Sequence, residues 1–180
     1  MKRLHTFIIT GEVEGGKSLF LKDLSDFLKL FEESICGFIC RGQFTAEGLK
    51  DFILKDLNSE TEIHLASRKE IPLYQNFGNF YFNPLALDLG NKIIQNAIDT
   101  KARILIIDEI GPLELDENLW YNSFINLLEN YKGILIFSTR KRFVNVVVEK
   151  FKIHQAFIEN IESTSARKTG EAICSLLNND

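Results

Sequence analysis

The chain predicts an α/β fold: a mostly parallel sheet flanked by helices on both faces, with a small antiparallel hairpin insertion. Three observations lead to it. Unbroken aliphatic runs, such as residues 104–107 and 133–137, read as strands buried on both faces. Segments with apolar residues at helical spacing alternate with those runs. A glycine-rich loop follows the first run and opens a helix, at the sheet edge where such folds bind ligands. With three prolines and no Ser/Gly-rich linker, residues 1–180 read as one domain.

The elements follow in order. Residues 4–10 form a buried strand ending at Gly11. Residues 17–31 place Leu21, Leu24, Phe27, Leu28 and Phe31 on one face of a helix. Residues 35–40 are a second strand. Residues 52–54 and 63–66 read as short strands turning near Asn58 and Ser59, hence a hairpin. Asn83 caps, and Pro84 begins, a helix that runs through Leu85, Leu89, Ile93, Ile94 and Ala97 to about Asp99. The strand at 104–107 ends in Asp108 and Glu109. A helix over 117–130, a strand over 133–137, a helix over 143–151, a strand over 156–158 and a helix over 163–177 complete the pattern.

Composition narrows the function. The chain is 45% hydrophobic and 26% charged, the balance of a globular protein with a sizeable core. Its net charge of −4 and the lack of an evident basic stripe argue against a nucleic-acid partner. No apolar run approaches the ~20 residues that span a bilayer. Lys2 and Arg3 are basic, but the apolar run after them stops at Gly11, so no secretory signal is read. Cys36, Cys40 and Cys174 are odd in number and lack zinc-knuckle spacing, which favours reduced thiols, with Cys36 and Cys40 on one face of a strand. His5, His64 and His154 are scattered. A cytoplasmic monomer is expected.

The chemistry concentrates at two places. Gly11-Glu12-Val13-Glu14-Gly15-Gly16-Lys17-Ser18 matches the G-x-x-x-x-G-K-[ST] pattern between a strand and a helix. Its glycines let the backbone curl so that successive N–H groups converge on phosphate oxygens, and the helix start adds positive potential. Lys17 supplies an ammonium for the terminal phosphates, and the Ser18 hydroxyl suits Mg2+, which takes oxygen ligands. Glu14 puts a carboxylate into this loop and is expected to point outward. The second place is Asp108-Glu109, at the end of an aliphatic strand. Two acids there either emerge into solvent or serve a cation and a water. With the phosphate loop upstream, Asp108 is expected to hold magnesium and Glu109 to orient or deprotonate the attacking water.

These residues resemble the small P-loop nucleoside-triphosphatases of thermophiles and other organisms, a family that includes the cancer-related nucleoside triphosphatase. The likeness rests on Ile8-Ile9-Thr10-Gly11-Glu12, Cys36-Gly37-Phe38, residues 79–83, Gly133 to Ser138 and Arg167. It is strongest at Ile107-Asp108-Glu109-Ile110-Gly111-Pro112-Leu113-Glu114-Leu115. The resemblance implies a RecA-like core sheet and magnesium-dependent hydrolysis of several nucleoside triphosphates, ATP and GTP among them, to diphosphates. It assigns phosphate binding to Gly11, Gly16, Lys17 and Ser18, magnesium to Ser18 and Asp108, and water activation to Glu109. Three positions depart from the family's usual pattern. Pro112 stands where lysine is common, Val13 and Glu14 stand for a proline and a glycine, and Leu19 offers only its backbone N–H where a threonine would add a hydroxyl.

Weaker candidates stay open. Arg140 to Arg142 read either as a solvated helix start or as a source of charge for the transition state. Arg167 either stacks on a nucleobase or is a surface cation. Ser138 and Thr139 either sense the γ-phosphate or end their strand. Residues 74–82, with Tyr74, Phe77, Phe80, Tyr81 and Phe82, read as packing beside a loop, a base platform or a cover over the site. Three functions fit: a triphosphate hydrolase, a small-molecule kinase, and a nucleotide-gated binding module.

Overall fold

The computed structural model describes residues 4–179 apart from 33, 45, 47 and 49. The strands form one nine-stranded sheet. Its parallel half holds β2 (Ile35–Phe44), β7 (Ile104–Ile107), β8 (Ile134–Arg140), β1 (His5–Gly11) and β9 (Phe157–Asn160), in that spatial order. Beyond β2 the pairing becomes antiparallel through β3 (Lys50–Asp56), β4 (Glu62–Ser67), β6 (Phe80–Phe82) and β5 (Gln75–Phe77). The expected hairpin is therefore larger than its sequence pattern implied. Four strands extend the same sheet, and β2 runs on to Phe44 to pair with β3.

Alternation along each parallel strand divides the core between two faces. Ile8, Leu105, Ile107, Leu135 and Phe137 pack on one face with α2 (Pro84–Asp99), α4 (Tyr121–Asn130) and Val147 of α5 (Val144–Lys150). Phe7, Ile9, Ile104, Ile106, Ile134 and Ile136 pack on the other with α1 (Lys17–Leu28) and α6 (Ala166–Asn179). Burial on both sides is why these strands read as continuous aliphatic runs rather than alternating ones.

Local chemistry sets some of the helix ends. The Asn83 side chain accepts a hydrogen bond from the Leu85 N–H at 3.0 Å, and Pro84 opens α2, as the sequence predicts. α1 stops at Leu28, short of the predicted residue 31, because Leu30 and Phe31 stand in solvent and add no buried face. The helix expected from residue 117 begins at Tyr121. A separate short turn, α3 (Pro112–Leu115), precedes it, since Gly111-Pro112 starts a helix of its own.

Gly37 allows β2 to approach β7. Its φ is +138°, and a Cβ there would lie 2.0 Å from the Ile106 carbonyl oxygen. Gly37→Ala is therefore expected to lower the unfolding free energy by about 3 kcal/mol or more. Urea unfolding followed through the single, buried Trp120 measures this; a loss within about 0.5 kcal/mol would contradict the packing.

Candidate nucleotide site

Parallel pairing aligns the carboxyl ends of β1, β8 and β7 with the middle of β2. Gly11 of β1 registers with Arg140 of β8, and Ile107 of β7 registers with Phe137 of β8 and Phe38 of β2. The loop after β1, the acids after β7, Ser138 and Arg140 on β8, and Cys40 on β2 consequently share one edge. A cavity of about 530 Å³ opens there, lined by residues 13–18 together with Asp108, Glu109 and Arg140. The two places singled out in the sequence thus face a common space.

The loop is tightly wound. Gly15 N–H donates to the Glu12 carbonyl at 3.1 Å, Glu14 has φ +60° and Gly16 has φ +95°. No side chain caps α1 at Gly16, so the first N–H groups of the helix stay available to an anion. Lys17 is buried. Its ammonium donates to the Glu12 carbonyl at 2.8 Å and approaches the Gly11 carbonyl at 3.5 Å. Burial pushes its pKa down, while Glu109 and Asp108 pull it up.

Asp108 is 2% exposed. Its carboxylate accepts from the Ser138 hydroxyl at 2.6 Å and from the Cys40 N–H at 3.0 Å. The Ser18 hydroxyl also favours its charged form, and itself donates to the Cys40 carbonyl at 3.2 Å. Burial still raises the Asp108 pKa against these bonds. Such a buried carboxylate fits a cation, and the oxygens of Asp108 and Ser18 are the hard donors magnesium prefers. Among the described residues, no group of three or more His, Cys, Asp or Glu could hold a metal ion. A magnesium site built from one carboxylate, one hydroxyl and the ligand's own phosphates needs no such group.

Glu109 follows at φ +62°, its N–H donating to the Ser138 hydroxyl at 2.9 Å. Its carboxylate accepts from Arg140, with Nε at 2.8 Å and a terminal guanidinium nitrogen at 2.7 Å. Ser138 thus orients both acids. Thr139 is buried away from the cavity lining. Arg140 belongs to the site, whereas Arg142 lies over the Phe143 ring.

Other candidates fall elsewhere. Gly11 and Glu12 underlie the loop and give their carbonyls to Lys17. Leu19 is exposed in the first turn of α1. Arg167, at the start of α6, pairs with Glu171 at 3.0 Å and is not among the cavity-lining residues. Glu14 leaves the loop as expected, but its carboxylate meets the Lys50 ammonium of β3 rather than open water. Phe80 lines the cavity, Phe82 joins the core, and Tyr74 bonds His64 at 3.0 Å, so the aromatic segment divides between site and packing. Cys36, Cys40 and Cys174 are free. Sequence reasoning did not find Lys50, Arg68 and Phe52 at the site. They lie in the antiparallel extension, and no local motif marks them.

A strand, a wound phosphate loop and a helix, with a second strand delivering acids to the same edge, define a P-loop α/β protein. A family model described as NTPase matches residues 6–168, and the chain belongs to that NTPase family. It is 36% identical over 117 residues to the nucleoside-triphosphatase THEP1 of Sulfurisphaera tokodaii, a match covering 63% of this chain and 64% of that protein's length. The solution structure of a human cancer-related nucleoside triphosphatase superposes with a TM-score of 0.71 over 98% of both chains at 18% identity. The crystal structure of THEP1 from the hyperthermophile Aquifex aeolicus gives 0.65 over 86% of this chain and 88% of its own, at 19% identity. Among the described residues no helix is long and apolar enough to cross a membrane.

Glu114 of α3 is also buried beside the site and accepts from the Gly111 N–H at 2.9 Å. Burial pushes its pKa from an ordinary 4.5 up to about 8. The folded chain therefore holds this proton more tightly than the unfolded chain. Its contribution to stability is full below pH 4.5 and declines as pH rises to about 8. That loss is on the order of 5 kcal/mol. Glu114→Gln should flatten the fall in unfolding free energy across this window, and an unchanged pH slope in the variant would refute the assignment.

Proposed function

We propose that the protein hydrolyses nucleoside triphosphates, such as ATP and GTP, to diphosphate and phosphate with Mg2+. The observation that carries this reading is a shared cavity in which the loop of residues 13–18 faces Asp108 and Glu109. The loop amides and the Lys17 ammonium bind and orient the phosphate chain. Ser18 and Asp108 would hold magnesium, which neutralises phosphate charge when bound. Glu109 orients the attacking water and takes its proton, the work left for an acid when water is the acceptor. Arg140 holds the Glu109 carboxylate in position through its guanidinium. A cytoplasmic site of action agrees with the three free cysteines. Arg167 as a base-stacking group belongs to the same reading and rests on the resemblance alone.

Glu109→Gln is expected to cut phosphate release by about a hundredfold or more while leaving nucleotide binding within about twofold. Lys17→Ala should abolish binding. A phosphate-release assay across the common nucleotides, beside equilibrium titration of both variants, measures the difference. Equal turnover in Glu109→Gln would remove Glu109 from its role.

A second reading, phosphoryl transfer to a small molecule, draws on an adjoining apolar cavity of about 300 Å³. It is walled by Phe52, Leu65, Phe77 and Trp120 and touches Asp108, Glu109 and Arg140. A kinase would show nucleotide consumption strongly stimulated by one metabolite, with label transferred to it. A flat response across a panel of nucleosides and monophosphates would discard that reading.

A further inference from the structure

The chain is acidic overall, yet the site cavity is not. Its lining carries five cations, Lys17, Arg41, Lys50, Arg68 and Arg140, against the carboxylates of Glu14, Asp108 and Glu109. Three of those cations come from β2, β3 and the end of β4, outside the phosphate-loop pattern. Two are set on aromatic rings of the cavity wall: Lys50 lies 5.5 Å from the Phe52 ring centre and Arg68 lies 5.4 Å from that of Phe80. Gly42 of β2 makes room for the Lys50 stem, since a Cβ there would meet the Lys50 Cε at 2.6 Å. The Lys50 side chain is only 22% exposed.

Glu14 engages this arm. Its carboxylate bonds the Lys50 ammonium, and the Lys50 and Arg68 charges hold its pKa below the usual range. It does so from a backbone at φ +60°, a conformation strained for a residue that bears a side chain. A glycine would relieve that strain, so the geometry gives the carboxylate a reason to be there.

We propose that Lys50 and Arg68 form a second phosphate-binding arm for the terminal phosphate of a nucleoside triphosphate, with Glu14 as the counterion that this phosphate replaces. The inference rests on the nucleotide reading above. Lys50 and Arg68 line the same cavity as Lys17, Asp108 and Glu109, and Lys50 already reaches the phosphate loop at Glu14, so the arm is offered to the outermost group of a phosphate chain gripped by Lys17. The incoming phosphate carries more charge than one carboxylate and displaces Glu14 from Lys50. A diphosphate lacks the group that reaches the arm. The antiparallel extension thereby distinguishes triphosphate from diphosphate.

The test is equilibrium titration with a non-hydrolysable ATP analogue and with ADP, both with magnesium, at low ionic strength where charge contacts are least screened. Lys50→Gln and Arg68→Gln are each expected to weaken the analogue about tenfold and ADP less than about twofold. Glu14→Gln keeps the strained backbone and removes the charge; it should tighten the analogue severalfold, and that gain should vanish when Lys50→Gln is added. Thermal unfolding of each variant confirms that it is folded. Equal effects on the analogue and ADP, or no effect on either, would overturn the inference while wild-type binding sustained the nucleotide reading. Failure of the wild-type protein to bind either ligand would overturn both.

Discussion

The carboxylate of Asp108 is the group around which the rest of the site is arranged. An ionised carboxylate at 2% exposure costs several kcal/mol unless its oxygens are satisfied. Its partners come from different parts of the chain: the Cys40 N–H on β2, the Ser138 hydroxyl on β8, and Ser18 at the start of α1. Cys40 and Ser138 lie within reach because β2, β7 and β8 run parallel in a register that sets the end of β7 between them, and Ser18 because β1 pairs in parallel beside β8. Satisfying this one charge therefore ties the phosphate loop, the acids and the sheet edge together.

Burial of the parallel strands on both faces makes that arrangement rigid. Ile104, Ile106, Ile134 and Ile136 pack under α1, while Leu105, Ile107, Leu135 and Phe137 pack under α2 and α4. A one-residue slip in β7 would exchange its two faces and also carry Asp108 away from Ser138. Core packing and site geometry are thus specified by the same register. Ser138 shows the economy of it, with one hydroxyl donating to Asp108 and accepting from the N–H of Glu109.

The antiparallel half plays a different part. It contributes little to holding the acids, yet it walls the cavity with Phe52, Phe80, Lys50 and Arg68. Its attachment to the phosphate loop includes an ion pair, Glu14 with Lys50, between partly exposed groups. Such pairs are weak and salt-sensitive, so the wall is held chiefly by its β2–β3 ladder and by Leu54, Leu65 and Phe82 in the core, and the ion pair is the contact a ligand can exchange.

The parallel core was legible in the sequence because its signals are local. Aliphatic runs mark doubly buried strands, Asn83-Pro84 marks a helix start, and Gly11 to Ser18 carries its own geometry in its glycines. Asp108 and Glu109 could be placed at a strand end from their neighbours alone. Tertiary structure decided the pairings between distant residues: Arg140 with Glu109, Ser138 with both acids, and Lys50 with Glu14. It also decided that a suspected hairpin becomes a four-stranded wall of the site. The reason is physical. Backbone conformation and strand burial leave traces within a few residues, whereas an ion pair between residues 14 and 50 depends on register and twist across strands that meet only after folding.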